Sequence, residues 1–146
     1  MRLSPRIFAP AGDGDASGIV NARDRDVLRG LKILLVEDDF IVAFDMQVLL
    51  QDCGAEVLGP ASTVAEGQAL VARQKPDAAV LDVNLNGEFV FALAQQLRER
   101  GVPMLFATAY ADDEGLFSAS DRSVPRVAKP VLPAVLIAQL RKLVGR

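Results

Sequence analysis

Three continuous apolar runs, each closed by a polar residue, limit what this chain can fold into. Lys32-Ile33-Leu34-Leu35-Val36 runs into Glu37, Ala78-Ala79-Val80-Leu81 into Asp82, and Val102-Pro103-Met104-Leu105-Phe106-Ala107 into Thr108. A strand with one wet face alternates apolar and polar residues. A strand covered on both faces does not, and such strands belong to parallel sheets. Glu56-Val57-Leu58 and Arg126-Val127-Ala128 are two weaker strand candidates.

Helical patterns separate the strands. Phe40 to Cys53 repeats apolar residues at Val42, Met46 and Leu49 and stops at Gly54. Ser62 or Thr63 caps a helix reaching about Gln74, with Glu66 placed for a capping box. Glu88 to Arg100 lines up Val90, Leu93, Ala94 and Leu97 and ends at Gly101. Asp112 to Ser120 predicts only a short, poor helix. The last helix starts near Pro133 and buries Val135, Leu136, Leu140 and Leu143. Strand and helix thus alternate five times, which predicts an α/β fold: a doubly wound, right-handed, five-stranded parallel sheet with a short or mobile fourth helix.

The first 30 residues have another texture. Pro5, Pro10, the Ala11–Gly18 stretch and Arg23-Asp24-Arg25-Asp26 are turn-rich and aperiodic, so residues 1–30 read as a flexible leader. Val27 and Leu28 are its candidates for packing on the domain, which spans 31–146, or for forming a short helix. The leader holds 5 basic and 4 acidic residues of the chain's 16 and 19, so the acidity belongs to the domain. No long basic run suggests nucleic acid, and no apolar stretch suggests a membrane span or signal peptide. A cytoplasmic location is expected.

Composition then narrows the chemistry. The chain has no histidine and one cysteine, Cys53. Histidine-based triads, histidine metal ligands, phosphohistidine donation and cysteine zinc clusters are all excluded. Carboxylates, hydroxyls, lysine and an oxygen-held metal remain.

In open parallel sheets, sites form at the carboxyl ends of the strands. Here those ends carry Glu37-Asp38-Asp39, Asp82, Thr108 and Lys129-Pro130. Converging carboxylates repel, and a hard cation such as Mg²⁺ relieves them while keeping places for water and phosphate oxygen. Lys129 offers a point charge and Thr108 a hydroxyl to a phosphoryl group. Asp82, on a central strand, is the candidate nucleophile that would become an aspartyl phosphate. An acid at one strand end is commonplace; four suitable groups at four functional ends are not. Asp77, Glu88 and Asp112-Asp113-Glu114 read as solvated surface.

These residues give the domain a likeness to a known family. Val36-Glu37-Asp38-Asp39, Leu81-Asp82, Ala107-Thr108-Ala109 and Lys129-Pro130, in this order, make residues 31–146 resemble the receiver domain of two-component response regulators, a flavodoxin/CheY-like fold. The resemblance implies that Asp82 is the phosphoacceptor and a metal ligand. Asp38 would ligate Mg²⁺ directly, Glu37 through water, and Asn84 through its backbone carbonyl. Thr108 would be the hydroxyl that moves on activation, and Lys129 the phosphate-pairing lysine, followed by a cis Pro130. Ala109 would leave room for the phosphodonor. Asp39 is not expected to be a primary ligand.

Two departures stand out. Arg126 occupies the place three before the lysine where receivers usually carry a switch aromatic. Tyr110 follows Thr108 by two. Phe106-Ala107-Thr108-Ala109-Tyr110 is similar to the Phe-Ala-Thr-Gly-hydrophobic-Tyr signature of a subgroup paired with HWE or HisKA2 kinases. Tyr110 and the weak fourth helix are then the expected carriers of the switch.

The expected function is that of a single-domain response regulator, not an enzyme in the ordinary sense. It would accept a phosphoryl group from a sensor histidine kinase and signal to a downstream protein through the face of the fourth helix, fifth strand and fifth helix, or drain phosphate from the kinase. The alternative is a pseudo-receiver adaptor that binds a partner unphosphorylated. A flavodoxin-like or hydrolase enzyme is disfavoured: no Gly-x-Gly-x-x-Gly or Walker loop is present, and Asp82-Val83-Asn84 lacks a second acid.

Overall fold

The computed structural model describes Val20 and residues 22–146. The expected alternation is present: β1 (Lys32–Val36), α1 (Phe40–Asp52), β2 (Glu56–Ala61), α2 (Val64–Arg73), β3 (Ala78–Asp82), β4 (Asn84–Leu85), β5 (Glu88–Phe89), α3 (Phe91–Glu99), β6 (Met104–Thr108), α4 (Ala119–Arg122), β7 (Arg126–Ala128) and α5 (Pro133–Val144). The short strands β4 and β5 are an addition to it, paired as a small antiparallel hairpin between β3 and α3. The main sheet has the order β2-β1-β3-β6-β7, and every pairing in it is parallel.

The continuous apolar runs do what a two-sided sheet requires. Successive residues of β1 enter opposite cores: Leu34 and Val36 pack with α2 and α3, while Ile33 and Leu35 pack with α1 and α5. Leu81 and Phe106 join the first core, Val80 and Leu105 the second. Each fully buried Leu or Ile contributes about 1.5–3 kcal/mol relative to exposure, so this double layer is the main source of stability.

Helix boundaries follow local chemistry. Asp39 caps α1 by accepting from the amides of Ile41 and Val42. Thr63 caps α2 by accepting from Glu66 N, and Glu66 accepts in return from Ser62 N and Oγ. Gly145 ends α5 at φ +78°, in the left-handed region.

Five expectations are corrected. The short helix predicted from Asp112 to Ser120 is replaced by a 3-10 turn at Glu114–Leu116, and α4 itself starts at Ala119, where Ser118 caps it by accepting from Asp121 N. The helix predicted from Glu88 begins at Phe91, because Asn86-Gly87 turns the chain into the β4–β5 hairpin first. Val135 of α5 is 43% exposed and Leu143 half-buried, whereas Leu136, Ile137 and Leu140 are buried. Asp77 is exposed but not merely solvated, since its carboxylate accepts from Lys32 N at 2.8 Å and fixes the start of β1. In α1 the buried positions are Ala43, Met46 and Leu50, with Val42 and Leu49 only half-buried.

The proposed leader falls largely outside the described residues. Of the part described, Leu28 is fully buried in the α1/α5-side core and its amide donates to Cys53 O at 2.7 Å. The core thus begins before Leu31.

Candidate functional site

The sheet order places the site. The chain passes from β1 out to the edge strand β2, then returns across β1 to β3, leaving a crevice at the carboxyl ends of β1 and β3. Glu37 and Asp38 follow β1, and Asp82 closes β3. Their carboxylates meet with one oxygen of each within 4.8 Å of the others. Glu37 and Asp82 are buried, Asp38 half-buried.

Lys129, just beyond β7, reaches the same crevice. Its Nζ donates to Glu37 Oε1 at 2.6 Å and to Asp82 Oδ2 at 3.1 Å. Glu37 Oε2 accepts from Asp39 N at 2.9 Å, so both oxygens of this buried acid are engaged. Asp38 Oδ2 accepts from Asn86 N at 2.9 Å and ties the β4–β5 hairpin to the rim.

The electrostatics follow from this geometry. Burial pushes Glu37 above the usual carboxylate range; Lys129 and the Asp39 amide oppose the shift, and Asp82 adds to it. Burial also raises Asp82, against Lys129 and with Asp38. Burial alone would lower Lys129, but its bonds and charges from Glu37 and Asp82 leave it raised overall. Three acids against one ammonium leave the crevice under-neutralised, and their oxygens form a donor set suited to a hard divalent cation.

The remaining expected site residues fall into two groups. Thr108 ends β6 fully buried, beside β3, with Ala107 paired to Asp82. Its Oγ1 accepts from Tyr110 N at 2.8 Å. Ala109 is exposed, and Tyr110 is 40% exposed with its Oη 3.5 Å from Asn84 Nδ2. Asn84 Oδ1 accepts from Gly87 N and closes the hairpin turn. The Lys129–Pro130 bond is cis. Arg126 stands apart from the acids: it pairs with Glu114 and lies over the Phe117 ring.

Sequence reasoning missed one surface. Phe40, Ile41 and Phe44, at the start of α1 beside the acids, are 83%, 70% and 56% exposed. Among the described residues no helix is long and apolar enough to cross a membrane.

A doubly wound parallel sheet with three acids and a lysine at its switch point defines a receiver-type α/β module. Known proteins agree: residues 33–141 match the model of the response regulator receiver domain, and the chain belongs to that family. Members of this family are phosphoacceptors of two-component signalling, not classical enzymes. The chain is 34% identical over 119 residues to the transcriptional regulatory protein AfsQ1 of Streptomyces coelicolor, covering 78% of this chain and 51% of that protein. The response regulator PhyR from Brucella abortus has a similar structure at TM-score 0.69 and 27% identity, covering 82% of this chain and 51% of that one. The solution structure of SdrG from Sphingomonas melonis matches at TM-score 0.67 and 33% identity, covering 77% and 95%. The chain spans about half the length of AfsQ1 and of PhyR.

Proposed function

We propose that this protein works in the cytoplasm, accepts a phosphoryl group on Asp82 from a phosphohistidine of a sensor kinase, and signals through the resulting change of state. The observation that carries this reading is the convergence of Asp38, Asp82, Glu37 and Lys129 in one crevice. In the transfer, an Asp82 carboxylate oxygen attacks phosphorus, a P–O bond forms, and the P–N bond to the donor imidazole breaks. Lys129 already touches Asp82 and follows the new charge onto a phosphoryl oxygen. Thr108 turns its hydroxyl toward the same group after giving up Tyr110 N. Ala109, small and exposed, leaves the approach open.

The donor set fits Mg²⁺, with Asp38 and Asp82 as direct ligands, Glu37 acting through water and Asn84 offering its backbone carbonyl. When bound, the ion neutralises charge on the transferring group. The exposed Phe40, Ile41 and Phe44 beside the acids suit a helical partner, and we assign the kinase to this surface. The Phe106–Tyr110 signature supports a kinase of the HWE or HisKA2 class. The face of α4, β7 and α5 is the proposed output surface.

Incubation with acetyl phosphate tests the reading. Wild type should be phosphorylated only with Mg²⁺, and Asp82→Asn not at all. Labelling of Asp82→Asn equal to wild type refutes it, and binding of a partner with no phosphorylation in wild type would instead support the adaptor alternative.

A further inference from the structure

One half-buried cation has no part in the acceptor chemistry. Arg126 on β7 has a side chain 14% exposed, and its Nη2 donates to Glu114 Oε2 at 2.9 Å. Its guanidinium carbon stands 4.4 Å from the centre of the Phe117 ring. Its Nη1 is buried with no hydrogen-bond partner among the described residues. Phe117 is itself held by the core, stacked on Phe106 at 5.7 Å and edge-on to Phe91 at 5.7 Å. Glu114 and Phe117 bracket the single helical turn Glu114–Leu116, on the connection from β6 to α4.

The other end of that connection is fixed by the bond from Tyr110 N to Thr108 Oγ1. The segment is therefore held at two points, at Thr108 and at Arg126. Thr108 cannot turn its Oγ1 toward Asp82 while that oxygen holds Tyr110 N, and Tyr110 O in turn accepts from Asp113 N at 3.0 Å, at the entry to the turn that Arg126 grips. A planar guanidinium suits this grip because it can stack on a ring and pair with a carboxylate at once.

We propose that Arg126 is a latch that holds the Tyr110–Phe117 connection in the unphosphorylated arrangement, with Glu114 as its releasable partner. The inference rests on the phosphoacceptor reading of Asp82. A charge-based latch differs from an aromatic one in a measurable way. Glu114 is 63% exposed, so added salt weakens the pair.

The test uses the full chain. In Glu114→Gln, amide hydrogen exchange at Leu116 and Phe117 should quicken about two- to five-fold at low salt, as expected for loss of a partly exposed ion pair. The amide of Val80 should not change. Added salt should quicken the same two amides in wild type but not in Glu114→Gln. With Mg²⁺ present, the beryllofluoride concentration for half-conversion should fall by a similar factor in the variant. Unchanged exchange at Leu116 and Phe117 in both Glu114→Gln and Arg126→Lys overturns the latch. So does a wild type that responds to beryllofluoride at the same concentration as Glu114→Gln. Faster exchange in the variant, with no beryllofluoride response even in wild type, upholds the latch as a restraint and overturns the acceptor reading instead.

Discussion

Lys129 Nζ donates to Glu37 Oε1 at 2.6 Å, and this is the shortest bond in the acidic crevice. It joins the first strand to the last sheet strand across two others, and Glu37 is only 2% exposed. Removing the ammonium would leave a buried carboxylate with one amide donor. Lys129→Met should therefore cost about 3–5 kcal/mol at neutral pH, as for one partner removed from a buried ion pair. The raised pKa of Lys129 gives the sign of the pH effect. Its stabilisation is complete below the ordinary lysine value near 10.5 and is lost as pH rises through the higher folded value. Denaturant unfolding of wild type and variant at pH 7 and pH 11 should show the gap narrowing at the higher pH.

Asp82 carries the opposite sign. Its folded pKa is raised, chiefly by burial, so ionised Asp82 costs stability. That cost is absent below the ordinary value near 3.8, grows as pH climbs toward the folded value, and is constant above it. Asp82→Asn should then be more stable than wild type at neutral pH without divalent ions, since Lys129 keeps Glu37 as its partner and one buried negative charge is removed. Its melting temperature should rise, each kcal/mol being worth about 2–8 °C in a domain of this size. The advantage should shrink when the pH is lowered to about 4. It should shrink also with added Mg²⁺, which stabilises wild type by about 1.4 kcal/mol at ten times its dissociation constant. Thermal scans across pH and Mg²⁺ check both arms, and a variant less stable than wild type at neutral pH would contradict the electrostatic account.

The legible parts of this fold are those where local chemistry and tertiary demand coincide. β1, β3 and β6 are apolar on both sides because both sides are covered, and that texture needs no partner to be seen. The acids and the lysine were legible for the same reason: each stands at or just beyond the end of a strand, and parallel strands bring their carboxyl ends together. The β4–β5 hairpin was missed although its signal was present. Asn86 and Gly87 have φ of +53° and +95°, the conformation that favours Asn-Gly in a two-residue hairpin turn, with Leu85 paired to Glu88. The helical stripe downstream concealed it. The exposed start of α1 was illegible for a different reason. Phe40, Ile41 and Phe44 share a helix with Val42, Ala43 and Met46, and a helix apolar all round has no period to say which side is buried. The contact of Arg126 with Glu114 and Phe117 depends on the path of the β6–α4 connection, which no periodicity encodes.

Cys53 supplies a prediction independent of the acidic site. Its thiol is fully buried, and burial, reinforced by nearby aspartates, pushes its pKa up to about 12. Since the thiolate is the reactive form, alkylation of the native protein at pH 8 should be slower than that of free cysteine by about a thousand-fold or more. Iodoacetamide labelling followed by mass spectrometry should find Cys53 unmodified in the native state and rapidly modified in denaturant. Fast native labelling would mean that the α1/α5-side core opens locally.

The bulge in β2 gives a sharper test of the fold around the site. β1 and β2 are in register from Lys32 to Leu34, then shift so that Val36 meets Ala61, and Gly59 lies within the shift. Gly59 has φ of +103°, and a Cβ there would stand 2.7 Å from Ala61 N and 2.8 Å from Leu35 O. Both are backbone atoms of paired strands, so neither can swing aside. The bulge also brings Ala61 O to Glu37 N at 2.9 Å, which sets the backbone of the buried acid. Gly59→Ala should therefore cost about 2–4 kcal/mol, combining left-handed strain with the clash. Gly101 separates the two effects. It has φ of +73°, and a methyl group added there would meet none of the described residues within 4 Å, so Gly101→Ala should cost only the strain, about 1–2 kcal/mol. Equal losses for the two variants in urea unfolding would show that the β1–β2 contact yields to a methyl group.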